Sequence, residues 1–271
     1  MSLHQKTSEK MPVLFLGHGS PMNALAHNSF TQGLNQMAQS FARPSSILCI
    51  SAHWITRGTW VTHMERPRTI HDFGGFPKEL FAVQYPAPGN PELAENLLRL
   101  IQHPLVQLDD DSWGLDHGTW SVLKHLYPEA DIPVIQLSLD LGRPLEYHGD
   151  LGRQLAQLRQ QGVLIVGSGN IVHNLKLLNW DEGAKPFDWA LEFDEAVKDC
   201  ILKRNLKALE GDLLKSEAVK LSVPTMDHFA PLLYALGASD KEDEISFFNE
   251  GTQHASISMT CIKFGPHDGA Q

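Results

Sequence analysis

The sequence predicts an α/β fold, a single domain with a central, mostly parallel sheet flanked by helices. Three observations lead there. Short apolar runs bounded by Gly, Pro and Ser recur along the chain, stretches of helical periodicity alternate with them, and no internal repeat, low-complexity tract or Ser/Gly linker divides the 271 residues. Most of the runs are continuous rather than alternating, as expected of strands covered on both faces.

Strands are expected at Pro12–Gly17, Ser46–Ala52, Thr59–His63, Pro133–Leu139, Val163–Gly167 and Ser256–Phe264. Helices are expected between them, at Phe30–Phe41, Pro91–Gln102, Thr119–Leu126, Pro144–Gln160 and Phe187–Leu209. Pro91 and Pro144 sit where a first helical turn tolerates proline, and Asn90 is positioned as an N-cap. The domain is placed at residues 11–265, with flexible ends at 1–10 and 266–271. One long stretch, from Glu65 to Asn90, is rich in Pro, Gly and aromatics and has little regular pattern. Loops of that size inside a domain commonly serve as lids or binding loops.

Composition removes several function classes. The longest apolar runs, such as Val13–Leu16 and Val163–Val166, are far too short to span a bilayer, and the polar start MSLHQKTSEK has no signal-peptide character. The formal net charge is −10, from 22 Lys plus Arg against 32 Asp plus Glu, without a basic cluster, so nucleic acid is not an expected partner. Cys49, Cys200 and Cys261 form no Cys-x-x-Cys spacing and no even disulfide set, which points to a reduced, cytoplasmic protein.

The chain holds 14 histidines, and several are placed alike. His18 follows the strand MPVLFLG, His53 ends SILCISA, and His173 follows VLIVGSGNIV. The carboxyl ends of parallel strands share one edge, where ligands bind, so these residues converge there. His117, in the glycine-flanked turn Trp113-Gly-Leu-Asp-His-Gly-Thr-Trp120, and His228, in Thr225-Met-Asp-His-Phe-Ala-Pro231, complete the candidate set. Neutral imidazole is a good ligand for Zn(II) and Fe(II), and a histidine-only site with open positions is catalytic in style. Other motifs are weaker: Gly167-Ser168-Gly169 has Val172 where a dinucleotide loop needs a small residue, Ser20 and Ser168 lie outside Gly-x-Ser-x-Gly, and no His-Glu-x-x-His is present.

Eight motifs occur in order: L-G-H-G-S-P-M-N (16–23), S-A-H-W (51–54), H-D-F-G-G-F-P (71–77), Y-P-A-P-G (85–89), W-G-L-D-H-G-T-W (113–120), Q-L-S-L-D (136–140), G-S-G-N-I-V-H-N (167–174) and D-H-F-A-P-L-L-Y-A-L-G (227–237). As a set they resemble the 4,5-DOPA dioxygenase extradiol family, within the class III extradiol ring-cleavage dioxygenases that include protocatechuate 4,5-dioxygenase. The resemblance implies an oxygenase that opens a small, DOPA-like catechol with O2, using one divalent metal, Fe(II) for turnover or Zn(II) as bound. Carried over, His18 and His53 match two metal ligands and His228 a further one. His117 and His173 match acid/base histidines, with His173 an added ligand or close neighbour of the metal. The wider class supplies a glutamate as third ligand, and none lies beside His228; Asp227 is the adjacent carboxylate. Phe73, Phe76 and Tyr85 are expected to cover the flat substrate ring by stacking. Two alternatives stay open: a zinc-dependent hydrolase on the same scaffold, and a metal-binding interaction protein without turnover.

Overall fold

The computed structural model describes residues 10–181, 183–213 and 217–266. The remaining terminal residues lie outside it, and with them most of the expected flexible ends. Lys10, assigned to one of those ends, is instead ion-paired with Asp240 and, at 3.4 Å, with Asp243.

Strands β1 (Val13–Gly17), β2 (Ser46–Ile55) and β6 (Val163–Gly169) explain why their sequences are continuously apolar. Successive side chains point to opposite faces, and each face meets its own core. Val13, Phe15, Leu48, Ile50 and Ile165 belong to one buried cluster, whereas Leu14, Leu16, Ile47, Cys49, Leu164 and Val166 belong to the other. A strand covered on both sides has no polar face to show. Each fully buried Val, Leu, Ile or Phe contributes about 1.5–3 kcal/mol.

The other strands of the sheet are β3 (Thr59–Thr62), β4 (Val106–Asp109), β5 (Val134–Leu139), β7 (Glu244–Phe248) and β10 (Cys261–Gly265). The order across the sheet is β4-β3-β5-β2-β6-β1-β10-β7. Its centre, β5-β2-β6-β1, is parallel throughout. The flanks mix directions: β10 pairs antiparallel with both β1 and β7, and β3 runs antiparallel to β5 but parallel to β4. A separate hairpin joins β8 (Thr252–Gln253) to β9 (Ile257–Ser258).

Helices α1 (Ser29–Gln39) and α4 (His117–Leu126) cover one face with Leu34, Trp120 and Leu123. Helices α3 (Pro91–Leu100), α5 (Leu145–Leu155), α6 (Asp188–Leu202) and α8 (Ala230–Ala238) supply the other. Two short helices, α2 (Lys78–Phe81) and α7 (Glu217–Ser222), complete the set. Asn90 caps α3 as expected, its side chain accepting the Leu93 N–H at 3.0 Å with Pro91 in the first turn. Every residue of α8 is buried, so this helix is apolar all round rather than amphipathic. It sits close to β6: a Cβ added at Gly167 would stand 2.4 Å from the carbonyl oxygen of Pro231.

Several expected boundaries differ. The helix begun at Thr119 starts two residues earlier, because the Asp116 side chain caps it by accepting the Thr119 N–H at 3.1 Å. Pro144 is the cap of α5 rather than its first residue. The helix expected to reach Leu209 stops at Leu202, where Arg204 takes a positive φ of 51°. The single strand expected at Ser256–Phe264 is divided into β9 and β10. Among the described residues, no helix is long and apolar enough to cross a membrane.

Candidate metal centre

All five singled-out histidines meet at the carboxyl edge of the parallel strands. His18 leaves the end of β1, its N–H bonded to the Gly169 carbonyl at 3.1 Å, and His53 lies near the end of β2. His117 opens α4, while His228 lies just before α8, with its carbonyl accepting the Asn170 N–H at 2.9 Å. His173, past β6, bridges to Ile257 and donates its N–H to Ser222 at 2.8 Å. The His18 ring centroid lies 5.0 Å from that of His53, 5.7 Å from His117 and 5.2 Å from His228. His173 stacks on His228 at 3.4 Å, nearly parallel.

Within this group His18, His53 and His117 each offer a ligand nitrogen within 4.8 Å of the others. The tightest approach is His18 Nε2 to His53 Nε2, 3.1 Å. Hydrogen-bond partners decide where the ring protons sit. Ser168 donates its hydroxyl to the Gly118 carbonyl at 2.5 Å, so it accepts from His18 Nδ1 at 3.0 Å. His18 therefore carries its proton on Nδ1 and presents a lone pair at Nε2. Asp72 works similarly on two rings, with Oδ2 2.8 Å from His117 Nδ1 and 3.6 Å from His53 Nδ1. A carboxylate only accepts, so His117 carries its proton on Nδ1 and leaves Nε2 bare, whereas His53 Nδ1 stands at ion-pair range, beyond a hydrogen bond.

A separation of 3.1 Å suits an Nε2–H···Nε2 hydrogen bond in the metal-free protein and, with both nitrogens bare, a cation between them. For comparison, two imidazole nitrogens on one tetrahedral Zn(II), with bonds of about 2.0–2.1 Å, stand about 3.3 Å apart. The donor set thus fits a divalent ion. Burial, then the charges of neighbouring histidines, holds His18 and His53 well below the ordinary imidazole range. Burial and His228 bring His173 down to about 3. Neutral rings are the form that binds metal. His228 Nδ1 is buried without a hydrogen bond, since Asp227 Oδ2 approaches it at 3.4 Å off the donor axis. Asp227, the carboxylate considered in place of a glutamate ligand, accepts the Thr225 hydroxyl at 2.7 Å.

The surroundings explain how the rings are held. Asp116 is fully buried, which pushes its carboxyl up, and four donors satisfy it: Ser51 Oγ at 2.7 Å, Gln136 Nε2 at 2.7 Å, the Thr119 N–H at 3.1 Å and Trp113 Nε1 at 3.2 Å. That network fixes the start of α4 and so the place of His117. Gly118 leaves room for His53: a Cβ there would stand 2.9 Å from His53 Cδ2 and 2.5 Å from Ser51 Oγ. Phe73 meets His117 edge-on at 5.4 Å, which brings one expected aromatic beside the histidines, and Phe76 in turn packs on Phe73 at 5.3 Å.

Tyr85 does not join them. It is fully buried in the core between the sheet and α4, and its hydroxyl donates to the Tyr127 carbonyl at 3.0 Å, so it anchors the long loop instead of facing a ligand. Asp72 and Ser168 are the functional residues that sequence reasoning left without a role. Ser168 stood at a strand end, and Asp72 inside the motif His71-Asp-Phe, but only the hydrogen bonds reveal their use.

Comparison with known proteins follows the same line. Residues 12–265 match the family described as the catalytic LigB subunit of aromatic ring-opening dioxygenase. The chain is 46% identical over 261 residues to a protein of Escherichia coli (strain K12) named 4,5-DOPA dioxygenase extradiol, covering 96% of each chain. A Portulaca grandiflora protein of the same name is 35% identical, with 92% of this chain and 94% of that one covered. The crystal structure of an uncharacterized Escherichia coli K12 protein superposes with a TM-score of 0.83 at 42% identity, covering 94% of this chain and all of the other. A whole-length family match, close relatives and a shared fold place this chain in the LigB family of aromatic ring-opening dioxygenases.

Proposed function

We propose that the chain is a metal-dependent extradiol dioxygenase that opens the ring of a small, DOPA-like catechol with O2. The observation that supports this most directly is the convergence of imidazole nitrogens, His18 Nε2 and His53 Nε2 at 3.1 Å, beside an Asp–His pair able to move a proton. The relatives' name, 4,5-DOPA dioxygenase extradiol, supplies the substrate class.

In this reading His18, His53 and His228 hold one divalent ion, and His173 is a fourth donor or a close neighbour. A bound ion lowers the cost of deprotonating a catechol hydroxyl and, as Fe(II) but not Zn(II), adds a route for electrons to O2. The residues of the chain handle the protons. His117 Nε2 accepts the hydroxyl proton, and Asp72, 2.8 Å from Nδ1, stabilises the imidazolium that results. His173, neutral through burial, is the second station, receiving or returning a proton. Phe73 and Phe76 offer a wall for a flat ring, worth about 0.5–1.5 kcal/mol for a well-made aromatic pair.

The test is oxygen uptake and the visible absorbance of a ring-opened semialdehyde. DOPA, catechol and tyrosine are compared with Fe(II)-loaded and Zn(II)-loaded protein. Turnover is expected for the two catechols with iron alone. Cleavage of activated esters without oxygen uptake, or equal turnover with zinc, gives the site to a hydrolase instead.

A further inference from the structure

We propose that Asp72 is a positioning residue that fixes, through one carboxylate, the ring orientation and proton placement of His53 and His117 together. Its Oδ1 accepts the backbone N–H of His117 at 2.9 Å while Oδ2 lies 2.8 Å from that residue's Nδ1. The same Oδ2 stands 3.6 Å from His53 Nδ1, and the two rings it serves lie 3.8 Å apart. One acceptor thus holds the His117 ring proton by a hydrogen bond and, from ion-pair range, favours a proton on the same side of His53, away from the face where His18 Nε2 waits. An imidazole protonated on its inward nitrogen could neither bind a cation nor take up a proton at that nitrogen, so a tautomer change at either ring disables its inward face.

The carboxylate arrives from an irregular loop rather than from a strand or helix. Its neighbours fasten that loop on both sides: His71 Nε2 bonds the Val83 carbonyl at 3.0 Å, and Phe73 packs edge-on against His117. The Glu65–Asn90 stretch is therefore tied to the chemistry through Asp72, and the wall formed by Phe73 is held in register with the proton on His117. His18 is a built-in reference, because its proton is placed by Ser168 and not by Asp72.

The role rests on the metal-centre reading only for its affinity arm. Metal-free protein labelled with ¹⁵N-histidine reports the tautomer of each ring, and competition with a chelator reports Zn(II) affinity. In Asp72→Ala, His53 and His117 are expected to gain the Nε2–H form while His18 keeps Nδ1–H. Zn(II) binding should weaken about 10–100-fold, as for loss of other outer carboxylates that hold ligand histidines, with partial recovery in Asp72→Glu. Should Asp72→Ala fail to fold, Asp72→Asn, of nearly the same shape, is read in the same way. Unchanged tautomers at both rings overturn the proposal, whatever the affinity. If the unmodified protein binds no Zn(II), the metal-centre reading fails while the tautomer result still decides the role of Asp72.

Discussion

A single methyl group at Gly169 tests whether the close packing of β6 against the His228 segment sets the geometry of the centre. The added Cβ would lie 2.1 Å from the His228 carbonyl oxygen, where even a tight contact needs 3.0–3.4 Å, so one segment must retreat by about 1 Å. Retreat also breaks the 2.9 Å hydrogen bond from the Asn170 N–H to that carbonyl. Overpacking of this kind costs about 1–3 kcal/mol and the lost bond about 1 kcal/mol, for a combined penalty of roughly 2–4 kcal/mol. For a domain of this size the melting temperature should fall by about 4–16 °C. The functional effect should be larger, because displacing a group at a reacting centre by about 1 Å can cost about 100-fold in rate. Thermal melting, Zn(II) affinity and oxygen uptake with DOPA are measured for Gly169→Ala beside Gly211→Ala, whose added Cβ meets nothing within 4 Å. If both variants melt and turn over like the unmodified protein, β6 does not position His228 and the reasoning fails.

Other predictions concern protons. Burial holds His148 down to about 4, so the folded state keeps it neutral while the unfolded chain takes up a proton below about 6.5. Its contribution is full above pH 6.5 and lost as the pH falls toward 4, about 2 kcal/mol of it by pH 5, and His148→Gln should flatten the acid limb of a stability-against-pH curve by that amount. His18 and His53, held low by burial and then by the charges of the neighbouring histidines, should keep Zn(II) at pH values where free imidazole is already protonated; a chelator titration with its release midpoint at or above 6.5 would contradict this. His117→Ala and His173→Ala should each lose about 100-fold or more in turnover. Near-normal rates in His117→Ala at saturating substrate would make that residue a turn histidine only.

The parts of the centre that could be read from the sequence are those tied to strands. A strand buried on both faces announces itself as an apolar run, its carboxyl end is then fixed within a residue or two, and His18 and His53 follow at once. His117 and His228 were visible through their glycine and proline surroundings. Asp72 was not, because a carboxylate in an irregular loop has no periodicity, and its value comes from a chain reversal that only tertiary structure supplies. Tyr85 shows the converse: an aromatic in a loop reads the same whether it covers a ligand or plugs the core, and the Tyr127 carbonyl decides between them. Edge strands escaped for a simpler reason. Val106–Asp109 is short and half polar, and Glu244–Phe248 is only partly buried, so neither stands out as an apolar run.

The order of strands has a consequence for how such a protein can be made. β1, which precedes the other described strands in the chain, ends up between β6 and β10, with Val13 opposite Ile165 on one side and Phe264 on the other. For most of synthesis its backbone hydrogen-bonding groups therefore lack the partners they will finally have, and closing such distant contacts is slow. His18 and His53 emerge early, His117 and His173 follow, and the segment bearing His228 comes last of the five. A nascent or truncated chain ending before Cys261 would expose an open apolar strand edge on β1, the usual seed of aggregation, although all five histidines would already be present. The strand that carries His18 is therefore fully paired only when β10 joins it.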